Sequence, residues 1–292
     1  MTEILIRPAS VADKATVVEF TQHTWEHGDY IPEVYDAWLV DPRGPLLVAE
    51  EEGKVIAISK VTFLGPQQAW LEGLRVHPEH RRHGVARRFL AHQLAVAREK
   101  GARVVRLATA WNNYPIHKIA AEQGMCHVAT FVPFIAEAEV GPVCARVLSP
   151  ADLDAAWAFV LASDAYRHSV RLYDQGWAWK ELDKETVAEG LQKGDVAGWH
   201  KEMDDDLLAG LALLSHDWYD RDALRISWVG GDLAEMTEFA RDVRRVATAR
   251  GLQKVHTMLP DLPALRAAFT AAGYKPPSED EFFGLWIFEK SL

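Results

Sequence analysis

The sequence predicts an α+β chain, a mixed α/β sheet with helices on both faces, built twice in tandem. Three observations predict it. The length, 292 residues, is long for one compact core and natural for two domains of ordinary size. The element order is a helix, a run of strands, then strand and helix in alternation, which is the order of a mixed sheet. The same short plan also opens and closes both halves. Arg7-Pro-Ala-Ser10-Val-Ala12-Asp13 starts the first and Arg146-Val-Leu-Ser149-Pro-Ala151-Asp152 the second, sharing R-x-x-S-x-A-D. Near the end of each half a glycine (Gly101, Gly251) precedes an apolar run, a proline (Pro115, Pro263), a helix and a second glycine (Gly124, Gly273). A plan seen only twice points to a duplicated domain rather than a solenoid. The expected domains are 1–136 and 143–292, joined between Pro133 and Pro142, where Glu137, Glu139, Gly141 and Pro142 break the apolar pattern.

In the first half, apolar runs bounded by turn residues predict strands at Ile4–Arg7, Leu46–Glu51, Val55–Phe63, Ala69–Val76 and Val104–Ala108. Helices are expected at about Val11–Thr24, Val34–Leu39, Val85–Lys100 and Pro115–Glu122, the first entered through a Ser or Asp cap. In the second half the strand Leu224–Val229 stands where Ala69–Val76 stands in the first.

Composition narrows the function classes. With 49% hydrophobic and 25% charged residues the chain reads as a globular protein, and no apolar run approaches the ~20 residues that cross a bilayer. The start has no basic and apolar leader pattern. Cys126 and Cys144 have no metal-ligand spacing, which fits a reducing compartment and a cytoplasmic location. A net charge of −10 argues against a general nucleic-acid binder. One stretch departs from it: between Arg75 and Arg88 lie five arginines and a single acid, Glu79.

That stretch is the chemically informative one. A strand ends near Val76, and Pro78 stops it by removing a ladder donor. A helix follows with Ala86, Phe89, Leu90, Gln93, Leu94 and Ala97 on one face, closed by Gly101. The turn between them brings unpaired N–H groups and the positive end of the helix dipole to one point. Gly84 and Ala86 are small enough for an anion to approach the backbone, and Arg81, Arg82 and Arg87 add charge beside it. This reads as a pyrophosphate cradle. The six residues alone would equally fit a glycine-containing turn before a surface helix; the strand–turn–helix context favours the cradle. No P-loop and no dinucleotide fingerprint is present.

Arg81-Arg-His-Gly84-Val-Ala86 resembles the [RQ]-x-x-G-x-[GA] motif of the GNAT N-acetyltransferase family, with Val-His-Pro-Glu before it and Asn113, Ile116 and Gly124-Met125 in the downstream positions. The resemblance covers residues 4 to 135 closely and the second half in outline. It implies acetyl-CoA as the donor, with no metal, and an acyltransferase acting on an amine. Residues 81–87, His83 and Val85 included, would hold the pyrophosphate. Asn113 would lie beside the coenzyme, and the backbone of Leu74 and Val76 would pair with the pantetheine amides. Many members carry a tyrosine four residues before the final glycine as the acid for the leaving thiolate; here that position is Ala120. His117, one turn earlier, is the candidate acid, or an ordinary half-buried histidine. A thiol with a pKa near ~8.5 can also leave unassisted.

Glu72 is the candidate base, expected by strand alternation to share a face with Leu74 and Val76; the bland reading is a strand-edge glutamate in an ion pair. In the segment Trp25-Glu26-His27-Gly28-Asp29-Tyr30-Ile31-Pro32, Glu26 and Asp29 can hold an ammonium group, while Trp25, Tyr30 and Tyr35 can pack on an acceptor side chain. The D-Y-I-P…Y…W-L-x-D-P pattern is similar to the histidine N-acetyltransferases and implies a free amino acid as acceptor. A non-catalytic acyl-CoA-binding protein and an enzyme for peptide amines are the competing readings. A homodimer stays open.

Other clusters read as structure. His77, His80 and His83 straddle a proline turn rather than one helical face, Asp204-Asp205-Asp206 fits a hairpin tip, and Trp177, Trp179, Trp199 and Trp218 fit packing. In the second half Gly230-Gly231-Asp232-Leu-Ala-Glu235 replaces the arginines. Its carboxylates would cap the helix and repel a pyrophosphate, so a degenerate GNAT-like domain is expected.

Overall fold

The computed structural model describes residues 3–22, 24, 28–201, 204–217, 219–276 and 284–292. Its contacts divide the chain into two units, Met1–His127 with Ile287–Leu292, and Val128–Trp286. In chain order the elements are β1 (Ile4–Pro8), α1 (Lys14–Thr21), α2 (Ile31–Leu39), β2 (Leu46–Glu51), β3 (Lys54–Gly65), β4 (Gln68–Val76), α3 (Val85–Glu99), β5 (Val104–Ala110), α4 (Tyr114–Glu122) and β6 (Cys126–Glu137). After them come β7 (Arg146–Val147), α5 (Leu153–Ala162), α6 (Asp164–His168), β8 (Leu172–Asp174), β9 (Trp179–Glu181), α7 (Lys184–Lys193) and β10 (Val196–Lys201). The chain closes with β11 (Asp204–His216), β12 (Ala223–Gly231), α8 (Met236–Ala249), β13 (Lys254–Pro260), α9 (Pro263–Ala271) and β14 (Leu285–Ser291).

The first unit's sheet runs β1-β2-β3-β4-β5-β14. Neighbours from β1 to β4 are antiparallel, and β4 and β5 are parallel. β14 lies beside β5, with Leu292 N–H donating to Arg103 O at 2.9 Å and Arg106 paired to Glu289 at 2.7 Å. Val17, Phe20, Ile31 and Tyr35 from α1 and α2 pack on Leu46, Val48, Val55 and Ile58 to make one core. The helix expected at Val34 starts at Ile31, because Pro32 is at home in a first turn, where its missing N–H has no acceptor anyway. The helix expected to reach Thr24 ends at Thr21.

The second unit repeats the order as β7-β10-β11-β12-β13, with β6 next to β13. Pairing is antiparallel up to β12, then parallel for β12 and β13. The parallel registers match: Gln68↔Val104 to Leu71↔Leu107 in one unit, Ala223↔Lys254 to Ile226↔Thr257 in the other. The shared R-x-x-S-x-A-D does the same work in both. Ser10 N–H donates to Asp13 and Ser149 N–H to Asp152, each at 2.7 Å, and each serine hydroxyl adds a second bond. Arg7 and Arg146 pair with those aspartates at 2.8 and 3.6 Å. Residues expected in the join are partly strand: Pro133 to Glu137 continue β6, with Pro133 opposite Met258. The core of this unit holds Phe239, Val243 and Phe269 around Leu224, Ile226 and Val255, and a second cluster surrounds Tyr166, Tyr173 and Trp228. No helix among the described residues is long and apolar enough to cross a membrane.

Candidate active site

The site begins where β4 and β5 stop pairing. Their ladder ends at Leu71↔Leu107, yet β4 continues to Val76 and β5 to Ala110. The cause lies on the other edge of β4. Lys60 pairs with Glu72 and Ile58 with Arg75, so Ser59 alone faces both Gly73 and Leu74. This is a β-bulge, and bulges bend and twist a strand. Gly73 takes φ +69°, and a Cβ there would come within 2.6 Å of Trp38 Cζ3 on α2, so neither the conformation nor the space admits another residue. From α3, Gln93 Nε2 donates to Ser59 Oγ (2.8 Å) and Lys60 O (3.1 Å), while Ser59 Oγ donates to Glu72 O (2.8 Å), which ties the bulge down.

The bulge corrects one expectation. Strict alternation put Glu72 on a face with Leu74 and Val76. The register instead places Glu72 and Arg75 opposite Lys60 and Ile58, hence on one face, because the extra residue shifts the alternation by one.

Beyond β4 the turn Pro78–His80 leads to Gly84, which takes φ +80° and caps α3, and a Cβ at Gly84 would meet nothing within 4 Å. Arg81 N–H donates to Pro78 O and Arg88 N–H to Gly84 O. Among the described residues, the backbone N–H groups of 82–87 find no backbone acceptor. Arg81, Arg82, His83 and Gly84 are exposed, Val85 is buried and Ala86 half-buried. Arg81 Nε donates to Val76 O at 3.1 Å and Arg87 pairs with Glu122 at 2.6 Å. The arrangement is a bank of amide donors at a positive helix end with open space over it, and it suits an anion.

Glu72 is half-buried and lies in a charged cluster. Thr62 Oγ1 donates to its Oε1 at 2.5 Å. Burial pushes the Glu72 carboxyl up from its ordinary value, while Thr62, Lys60 and Arg43 pull it back. The Lys60 side chain is wholly buried, with Nζ 3.2 Å from Asp41 Oδ2 and 3.0 Å from Gly44 O. Burial works against ionisation of Asp41, but hydrogen bonds from Arg43 and Lys60 bring it down to about 2. Sequence reading missed Asp41, Arg43, Lys60 and Thr62. The available signal was a lysine inside the apolar run Val55–Phe63.

The other expected residues scatter. Glu26 and Trp25 lie outside the described residues. Asp29 has a fully buried side chain and accepts from Arg75 at 2.6 and 3.2 Å, and its Oδ1 also takes the Ile31 N–H at 3.2 Å. An ammonium would have to displace Arg75 to reach it. The Arg75 guanidinium sits 5.4 Å from the Tyr30 ring, whose phenol burial pushes up to about 12. Tyr35 is corrected from the acceptor wall to the core: it is fully buried, and its hydroxyl donates to Ser10 O at 2.8 Å. Asn113 caps the approach to α4 and donates to Thr109 Oγ1 at 2.8 Å. His117 donates through Nε2 to Ala110 O at 3.0 Å and lies against Phe288, with ring centroids 5.3 Å apart; a carbonyl can only accept, so that nitrogen carries the proton. Ala120 is fully buried. His80 pairs with Glu51 at 2.8 Å, and among the described residues no cluster of His, Cys, Asp and Glu is gathered for a metal.

In the second unit the corresponding end of β12 keeps a small cavity of about 100 Å³, lined by Gly230, Gly231, Met236, Leu262 and Asp164. A Cβ at Gly230 would meet Ser163 Oγ and, at 2.6 Å, Trp228 Cη2. Asp232 Oδ1 takes the Ala234 N–H at 3.0 Å, as its position in the sequence suggests. Glu235 turns to the Trp199 indole instead, at 3.2 Å. A cavity of about 310 Å³ lies elsewhere in this unit, floored by Arg225 and Ser227. There the buried Arg225 bridges Asp174 and Asp217.

Comparison with known proteins agrees with this geometry. Residues 14–125 match the model of the Acetyltransferase (GNAT) family. A histidine N-acetyltransferase of Oreochromis niloticus is 35% identical over 103 residues, 34% of this chain and 30% of its own length. The chain thus spans under a third of that relative. A GCN5-related N-acetyltransferase from Sphaerobacter thermophilus superposes with TM-score 0.68 at 13% identity, covering 99% of this chain and 95% of that one. A tandem GNAT protein from the clavulanic acid biosynthesis pathway gives 0.56 at 15%, covering 99% and 98%. With the sheet parting at Leu71, the amide bank before α3 and these matches taken together, residues 14–125 are similar to the GNAT acetyltransferase family, and the fold of the chain is like that of a tandem GNAT protein.

Proposed function

We propose that the first unit transfers acetyl from acetyl-CoA to the amine of a small molecule, a free amino acid of the histidine type, by direct attack in a ternary complex. The observation that carries the reading is that, among the described residues, the backbone N–H groups of 82–87 have no backbone acceptor, beside a Gly84 whose Cβ position is open. Those donors, with Arg81, Arg82 and Arg87, would hold the pyrophosphate. The backbone of Leu74 and Val76, past the last β4–β5 pair, would take the pantetheine amides. When bound, the coenzyme supplies an acetyl thioester.

Glu72 serves as the base. An amine must be neutral to attack, and an α-amine at about 7.7–8.0 asks less of a carboxylate than a lysine at about 10.4. A carboxyl pushed up by burial is the stronger base once ionised. Arg75 is committed to Asp29, so that pair shapes the acceptor wall rather than carrying charge to the substrate. The amino-acid acceptor is supported by the matched segment of the histidine N-acetyltransferase. The second unit, with Asp232 at the helix start where the first unit carries arginines, serves without coenzyme. A second reading, a non-catalytic acyl-CoA binder, draws on the buried Ala120, which leaves no phenol at the usual acid position.

Thiol release from acetyl-CoA with a panel of amino acids and polyamines tests the reading. Release dependent on one amine class is expected. Coenzyme binding without release on any amine would favour the binder, and undiminished coenzyme affinity in Gly84→Leu would remove the site assignment.

A further inference from the structure

Lysine is almost never fully buried unless paired, yet Lys60 stands mid-strand in β3 with its side chain wholly enclosed. Its anchor is specific. Nζ reaches Asp41 Oδ2 at 3.2 Å and Gly44 O at 3.0 Å, and Asp41 is shared with Arg43, whose Nη2 lies 3.0 Å from the same oxygen. Across the ladder Lys60 is the register partner of Glu72. Side chains opposed in this way start from Cβ atoms about 5 Å apart.

The groups that face Glu72 come from every element around it. The loop after α2 brings Asp41 and Arg43, β3 brings Lys60 and the Thr62 hydroxyl, and the segment before α2 brings Tyr30, a phenol. Arg75 and Asp29 neutralise each other. Asp41 cancels one of the two cations, so the surroundings carry one excess positive charge, which ionised Glu72 balances.

We propose that Lys60 is a positioning residue that acts on the reaction through Glu72: its buried ammonium, anchored by Asp41 and Gly44, is the countercharge that keeps this carboxylate able to accept the acceptor's proton. The inference rests on the reading of Glu72 as the base. Burial raises the Glu72 carboxyl and lowers the Lys60 ammonium, and the opposite charge of each partner opposes the other's shift. Lys60 is wholly enclosed, so it acts on Glu72 rather than on a substrate. Its role is to set the pH at which the site switches on.

The test titrates Glu72 in the full chain, by pH-difference infrared spectroscopy of the protonated carboxyl band, identified by its loss in Glu72→Gln. The pH profile of kcat/KM is measured alongside. In Lys60→Met the infrared midpoint and the acid limb should both move up, with roughly tenfold lower kcat/KM on the limb and an unchanged plateau. Arg43→Gln should shift both in the same direction by less. The Arg43 side chain is 63% exposed, so this variant keeps the test alive if Lys60→Met does not fold. An unmoved midpoint in both variants overturns the inference, as does a profile scaled down at every pH. If the midpoints move but Glu72→Gln retains the wild-type acid limb, the coupling stands and the base assignment fails.

Discussion

Two glycines with nearly the same backbone conformation give a test of the bulge that opens the site. Gly73 has φ +69° and Gly84 has φ +80°. Placing an L-residue in that region costs about 1–2 kcal/mol at either position. At Gly84 nothing lies within 4 Å of the added Cβ, so that is the whole cost. At Gly73 the methyl would stand 2.6 and 2.8 Å from the Trp38 ring and 3.2 Å from Ile31 Cδ1, inside a packed core. Overpacking of that kind adds about 1–3 kcal/mol. Gly73→Ala should therefore destabilise the first unit by ~2–5 kcal/mol and Gly84→Ala by ~1–2 kcal/mol. Urea unfolding followed by hydrogen exchange on peptides from α2 and β4 isolates this unit in a chain whose two units need not melt together. Equal losses in the two variants would refute the reasoning, since they would mean that Trp38 yields and the bulge is not held by packing.

Asp13 is depressed to about 2 by the Arg7 hydrogen bond, against an ordinary 3.8. A carboxyl lowered on folding contributes stability that is complete above its ordinary value and is lost as the pH falls through the folded one. The first unit should thus lose about 1–2 kcal/mol between pH 4 and 2, and Asp13→Asn should flatten that acid slope in thermal melts. Arg225→Met leaves the buried Asp174 and Asp217 without their shared cation and should cost the second unit about 3–5 kcal/mol by urea unfolding. Adding Asp174→Asn should recover part of that loss, and no recovery would show that the guanidinium acts through packing alone.

The legible parts of this molecule are those whose physics is local. The R-x-x-S-x-A-D motif closes its own cap within a few residues, so its repetition announced two related units, and both copies make the same bonds. The glycine turn before α3 was equally readable, because an αL residue followed by an amphipathic face needs no distant partner. What escaped depends on tertiary neighbours. The bulge at Gly73 arises from Trp38 on one side and Gln93 on the other, and period-2 alternation cannot see either. Asp29 and Tyr35 have the composition of an acceptor wall, but Arg75, 46 residues from Asp29 along the chain, takes one, and Ser10, 25 residues from Tyr35, takes the other. Lys60 lies inside an apolar strand, and its place there is explained only by the tertiary neighbour Asp41.

The strand β14 completes the first unit's sheet beside β5, although the chain reaches it only at Leu285. On a ribosome that adds about 5–20 residues per second, β5 waits on the order of ten seconds or more for its neighbour. During that interval its outer edge is an unpaired row of N–H and C=O groups, ready to accept a stray strand. The first unit is therefore finished last, by residues translated after its companion. A fragment ending near residue 136 would inherit that raw edge permanently, and synthesis of the tail is the step that commits the first half to its native form.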